Sequence, residues 1–60
     1  MSNYDKEEND ATSFYLSGMK KLHEKKYEGA IVDFDQAISF DPTDKNFYEQ
    51  KKEAERLKNG

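Results

Sequence analysis

The most regular hydrophobic pattern of the chain lies between Tyr27 and Pro42. Its apolar residues follow one another at intervals that place them on one stripe of an α-helix: Tyr27, Ala30, Ile31, Phe34, Ala37 and Ile38. The two alanines allow another backbone to approach closely, and the larger side chains fill the space beside them. Pro42 ends the pattern, because the residue before a proline is displaced from helical geometry. The sequence therefore predicts a helix over residues 27–40 that packs against a second helix.

A second helix is predicted over residues 11–24, with Asp10 as its N-cap. Its apolar residues are Phe14, Tyr15, Leu16, Met19 and Leu22. Gly18 lies in its middle, where glycine costs ~1 kcal/mol relative to alanine and so requires a packing reason. We expect the 27–40 helix to cross there, with Ala30 against the backbone of Gly18. Lys25 and Lys26 form the connection, which is short enough to make the two helices antiparallel neighbours.

A third helix is predicted over residues 45–58, after a turn at 41–44, with Asp44 as its N-cap. Its apolar residues form one thin stripe: Phe47, Tyr48, Ala54 and Leu57. Such a helix covers the end of a hairpin and exposes a charged remainder. The predicted fold is all-α, an antiparallel helix–turn–helix hairpin followed by a third, capping helix. Residues 1–9 are polar and without period, and we predict a disordered acidic tail before a single domain at 10–60.

Composition narrows the possible functions. The chain has 60 residues, no cysteine and one histidine, so it offers neither a disulfide, nor a thiolate nucleophile, nor an ordinary metal cluster. Its net charge is −3, and residues 1–10 alone carry −3, because their four acids face one lysine. Neither nucleic acid nor an anionic membrane would be attracted by this charge. No apolar run reaches the ~20 residues that span a bilayer, and we expect a cytoplasmic protein.

The spacing of several residues resembles that of the tetratricopeptide repeat family, whose unit is a helix–turn–helix of ~34 residues. The family pattern of aromatic, Gly, Tyr, Ala, aromatic, Ala and Pro is filled here by Phe14, Gly18, Tyr27, Ala30, Phe34, Ala37 and Pro42. Tyr48 stands where a following repeat would place its large aromatic residue. Two positions depart from the pattern. Lys21 replaces an aromatic residue, which is expected to thin the core, and Lys25 replaces a turn glycine, which is expected to loosen the loop.

The resemblance implies a protein-binding function on the inner, concave face of the first helix. The residues that the family places on this face are Thr12, Tyr15, Met19, Leu22 and His23. Two interpretations of the three apolar members stay open. They either form an exposed patch that a partner covers or wrap around the core of the hairpin. Members of the family that bind chaperone tails use Lys and Asn residues on this face, and that set is absent here, since Met19 and Gln50 stand at the asparagine positions.

No arrangement of residues indicates catalysis, and we predict a protein that is not an enzyme and binds no cofactor or metal. His23 and Glu24 are adjacent and so point to different faces of a helix. Asp33 and Asp35 flank Phe34 and are expected to face solvent. A group of lysines could contact phosphate, but nearby acids favour an ordinary solvated face: Lys20, Lys21, Lys25 and Lys26.

Three functional hypotheses follow. A single repeat cannot cover its own faces, so the chain is predicted to self-associate, most simply as a symmetric homodimer that buries the apolar residues of the concave face. In the second hypothesis, the same face holds an apolar or amphipathic peptide from another protein, and the chain acts as an adaptor. In the third, the chain is a minimal repeat, excised or designed, without a function of its own.

Overall fold

Three α-helices form the part of the chain that the computed structural model describes, residues 10–60. They are α1 (Ala11–His23), α2 (Tyr27–Phe40) and α3 (Lys45–Asn59). The all-α hairpin with a third helix is therefore confirmed. Only two helix ends differ from the prediction, each by one residue: α1 ends at His23 and α3 extends to Asn59. The disordered tail predicted for residues 1–9 lies outside the described residues.

Neighbouring helices run antiparallel. Between α1 and α2, the rings of Phe14 and Phe40 stack with their centroids 5.7 Å apart, so the start of one helix meets the end of the other. Between α2 and α3, two ion pairs join residues seven apart on each helix, Lys51 with Asp35 at 2.7 Å and Lys58 with Glu28 at 3.4 Å. The hydrogen bond from Lys51 to Asp35 raises the pKa of that lysine. Because these pairs are largely exposed, they contribute more to the register of α2 against α3 than to the free energy of unfolding.

Aspartate side chains cap the N-termini of two helices, and another accepts hydrogen bonds within the turn between α2 and α3. Asp10 accepts a hydrogen bond from the Ser13 amide at 3.0 Å, and Asp44 accepts one from the Asn46 amide at 2.8 Å. Both predicted N-caps are confirmed, and each satisfies an amide that has no partner within its helix. In the turn, Asp41 accepts hydrogen bonds from the hydroxyl and the amide of Thr43 at 2.8 and 3.3 Å.

The connection between α1 and α2 is held by backbone hydrogen bonds. The Lys26 amide donates to the Lys21 carbonyl at 2.8 Å, and the Lys25 amide donates to the Leu22 carbonyl at 3.0 Å. This pair of bonds is a Schellman motif, which requires left-handed backbone at Lys25, where φ is 66°. The predicted loosening of the loop is not seen. Lysine is accommodated in a closed motif, at a conformational cost of about 1–2 kcal/mol.

Replacing Lys25 with glycine is expected to stabilise the chain. Glycine adopts positive φ without steric cost, but it also has more freedom in the unfolded state, so the net gain should be about 0.5–1 kcal/mol. Urea unfolding followed by circular dichroism would show a higher midpoint at an unchanged slope. Lys26→Gly is the matched control, because φ is −95° there and glycine gains nothing. Equal loss of stability in both variants would contradict the prediction.

The apolar core is small. Its buried members are Ala30, Phe34, Ala37, Phe47 and Ala54. Phe34 is fully buried and lies over Gly18, where an added Cβ would stand only 2.7 Å from the ring atom Cε1. The three atoms nearest to that Cβ all belong to the ring of Phe34, whereas Ala30 was the residue predicted to lie there. In α3 the buried aromatic residue is Phe47, whereas Tyr48 is 43% exposed.

Candidate protein-binding face

Tyr15 connects all three helices. Its ring lies 5.9 Å from that of Phe34 in α2 and 5.1 Å from that of Phe47 in α3, measured between centroids, and both pairs are tilted. Tilted aromatic pairs at such distances are favourable beyond the area they bury. The side chain is half-buried. Tyr15 therefore contacts the core and keeps part of its side chain accessible.

The remaining residues of the predicted face divide into two groups. Met19 and Leu22 are half-buried and pack against the cluster of Ala30, Phe34 and Ala54. Thr12 and His23 are exposed. The three apolar members thus wrap around the core, as the second interpretation of the sequence held, while keeping part of their surface open. We use "concave face" below for Thr12, Tyr15, Met19, Leu22 and His23 of α1 together with Leu57 of α3.

We also assign Leu57 of α3 to this face from helix periodicity, although the sequence alone did not suggest it. It lies three residues after Ala54, and residues three apart are neighbours on a helix. Ala54 belongs to the cluster against which Met19 and Leu22 pack, and Leu57 is 36% exposed. The signal that could have identified it was its spacing from Ala54. The use of that spacing required knowing that α3 turns Ala54 toward α1.

The most exposed large apolar residues are spread over both helices of the hairpin, Leu16 beside Thr12 and Met19 on α1 and Val32 on α2. Leu16 is 60% exposed and Val32 is 56% exposed. Each lies two positions before a residue at the α1–α2 contact, Gly18 or Phe34, and residues two apart point to different sides of a helix. Phe40 is 55% exposed, although its ring stacks on Phe14. Single exposed apolar residues of this kind are ordinary on protein surfaces.

A polar cluster lies between α1 and α2. Asp33 is only 8% exposed, accepts a hydrogen bond from the Ser17 hydroxyl at 2.7 Å and pairs with the Lys21 ammonium at 3.1 Å. The expectation that Asp33 faces solvent was wrong, because both partners stand on the helix opposite. Asp35 is exposed, as predicted. Lys21 does not simply thin the core, since its Cδ would lie 3.2 Å from a Cβ built on Gly29, so its stem covers that backbone.

Removal of the buried carboxylate by Asp33→Ala is expected to cost about 1–1.5 kcal/mol, since Ser17 loses its acceptor while Lys21 can return to water. Asp35→Ala is the matched control on the same helix. It removes an aspartate with one lysine partner, but from an exposed ion pair, and should cost under about 0.5 kcal/mol. Urea unfolding of both variants measures the difference. Equal losses would show that burial of Asp33 contributes nothing.

The described part of the chain shows little that could support chemistry. Across residues 10–60, no group of three or more His, Cys, Asp or Glu side chains is placed to bind a metal ion, and no pocket is formed. Two of the clustered lysines have acidic partners, Lys21 with Asp33 and Lys26 with Glu24 at 3.6 Å. Within the same range, no helix combines the length and apolarity that crossing a membrane requires.

The chain matches no model of a protein family, and neither a curated protein nor a solved structure is significantly similar to it.

Proposed function

We propose that this chain is a non-enzymatic protein–protein interaction module, a single tetratricopeptide-like unit that self-associates through its concave face. The observation that carries the proposal is the small core. Of the five buried apolar residues, three are alanines, so Phe34 and Phe47 are the only large side chains buried among residues 10–60. Chains of this size bury only ~60% of the surface that their unfolded forms expose, and they commonly gain stability by association.

The packing of the hairpin supports the resemblance to a single repeat. The ring of Phe34 lies against the backbone of Gly18, and both alanines of the pattern are fully buried. Repeat units of this kind cover one another, and a unit that stands alone leaves a face uncovered. A two-fold symmetric pair is the simplest arrangement in which one face covers an identical face. A cytoplasmic location is part of the proposal and agrees with a sequence that contains no cysteine.

The oligomeric state of the full 60-residue chain tests the proposal. Sedimentation equilibrium over a micromolar concentration range should show a reversible dimer. A monomer at all concentrations that also melts cooperatively would overturn the proposal. Titration of that monomer with an amphipathic helical peptide would then test the adaptor alternative.

A pair of variants tests whether the concave face is the contact. Leu57→Glu places a charge on this face at a partly exposed position and should abolish association with little change in helix content. Val32→Glu introduces the same charge at a more exposed apolar residue of α2, outside the concave face, and should leave association intact. Met19→Glu is less informative, because Met19 packs against the core and its loss would also weaken the fold. Equal behaviour of Leu57→Glu and Val32→Glu would place the contact elsewhere.

A further inference from the structure

The charges of the three-helix unit are separated along its length. The antiparallel arrangement brings the end of α1, the start of α2 and the end of α3 together, and we call this the loop end. It holds six basic and three acidic residues, a net charge of +3: Lys20, Lys21, Lys25, Lys26, Arg56 and Lys58 with Glu24, Glu28 and Glu55. The opposite end, the turn end, holds four acids and one base, a net charge of −3: Asp10, Asp41, Asp44 and Glu49 with Lys45.

The middle of the unit carries little net charge, so the two ends remain oppositely charged. It contains two bases and three acids, a net charge of −1: Lys51, Lys52, Asp33, Asp35 and Glu53. The helix dipoles oppose the separation only weakly. Two of the three helices start at the turn end and one starts at the loop end, so the uncancelled part is about half a positive charge at the turn end. The side chains there carry a net charge of −3, and they therefore decide the polarity.

We propose that the occupant of the concave face is a second copy of this chain that lies antiparallel to the first. The inference rests on the proposed function and adds the identity and direction of the partner. In this arrangement each loop end meets the turn end of the other copy, so opposite charges face each other twice. A parallel arrangement would bring +3 to +3 and −3 to −3, and like-charge contacts of that kind suppress association.

The apolar residues favour the same direction. Tyr15 is the fifth residue of α1 and lies toward the turn end, whereas Leu57 is the third residue from the end of α3 and lies toward the loop end. A two-fold axis perpendicular to the helices would bring Leu57 of one copy toward Tyr15 of the other. The partly exposed leucine would then cover the accessible part of the tyrosine side chain, and the contact would be made twice.

Three exposed charges allow the direction to be tested without disturbing the fold. Lys25 lies at the loop end, Glu49 at the turn end and Lys52 in the middle. None of the three forms an ion pair with another residue in 10–60. Lys25→Glu and Lys52→Glu change the net charge of the chain equally, so the second is a matched control for the first. Glu49→Lys brings the net charge closer to zero, and net repulsion alone would predict tighter association for it.

The experiment is sedimentation equilibrium of the 60-residue chain and these variants at ~20 mM and ~300 mM NaCl, because salt screens exposed charges. At low salt, Lys25→Glu and Glu49→Lys should each raise the dimer dissociation constant several-fold, whereas Lys52→Glu should change it little. An equimolar mixture of Lys25→Glu and Glu49→Lys should restore the affinity, since a mixed antiparallel pair again brings opposite charges together. High salt should remove most of these differences.

The outcomes separate this inference from the proposed function. Tighter association of Glu49→Lys, or equal weakening by Lys25→Glu and Lys52→Glu, would overturn the antiparallel direction while leaving self-association in place. A mixture no tighter than its components would do the same. A wild-type chain that stays monomeric at both salt concentrations would overturn self-association itself, and the inference with it.

Discussion

Phe34→Ala is expected to cost about 3–5 kcal/mol, the largest effect of any single substitution in this chain. Among residues 10–60, Phe34 is the one large side chain that is fully buried, and its ring lies over Gly18 and beside Tyr15. Its removal leaves a cavity between α1 and α2 that Ala30 and Ala37 are too small to fill. Because a small domain has little stability in reserve, we expect the variant to lose most of its helix content at 25 °C.

Far-ultraviolet circular dichroism and urea unfolding measure this effect. Phe40→Ala is the matched control, since it removes the same side chain from the same helix at a position that is 55% exposed. It loses only the stacking contact with Phe14, and about 1 kcal/mol is expected. If the two variants were equally stable, the core would not depend on Phe34.

The helices could be predicted because their signals are local. The spacing of apolar residues set α1 and α2, aspartates marked two helix starts, and a proline followed the end of α2. Each of these features acts within a few residues of the chain, so a single sequence contains them. Positions Gly18 and Phe34 could be assigned to the contact between helices for the same reason. Which side chain covers the glycine depended on the offset between the helices, and local spacing does not supply that offset.

The burial of Asp33 could not be predicted in the same way. Flanking Phe34 by one residue places Asp33 beside the core stripe, where a carboxylate is normally exposed. It is buried here because Ser17 and Lys21 stand opposite it on α1. Such compensation is a property of two helices together. A polar residue beside a core stripe can be interpreted only after the partner helix and its register are known.

The exposure of the concave face could not be predicted from the sequence of α1 alone either. Periodicity placed Tyr15, Met19 and Leu22 together on α1, and the structure keeps them together. Their degree of exposure depends on α3, which brings the ring of Phe47 to within 5.1 Å of that of Tyr15, measured between centroids, and Ala54 to the shared cluster. The thin apolar stripe of α3 predicted that this helix covers something. It did not indicate which side of the hairpin is covered.

Gly18→Ala is expected to destabilise the chain, although it improves the helix propensity of α1. Alanine gains ~1 kcal/mol over glycine in a helix interior. Its Cβ, however, would stand 2.7–2.8 Å from two atoms of the Phe34 ring, closer than real Cβ atoms approach. The ring is fully buried and cannot move aside cheaply, and overpacking of this kind costs about 3 kcal/mol at the upper end of its usual range. We expect a net loss of about 2 kcal/mol.

Gly29→Ala provides the opposite result from the same substitution. A Cβ at Gly29 would meet only the flexible stem of Lys21, with Cδ at 3.2 Å, so the lysine can shift while the helix gains propensity. About 0.5–1 kcal/mol of stabilisation is expected there. Urea unfolding of the two variants should therefore move the midpoint in opposite directions. Stabilisation by both substitutions would mean that Phe34 does not lie against Gly18, and that the close approach of the two helices at this point is absent.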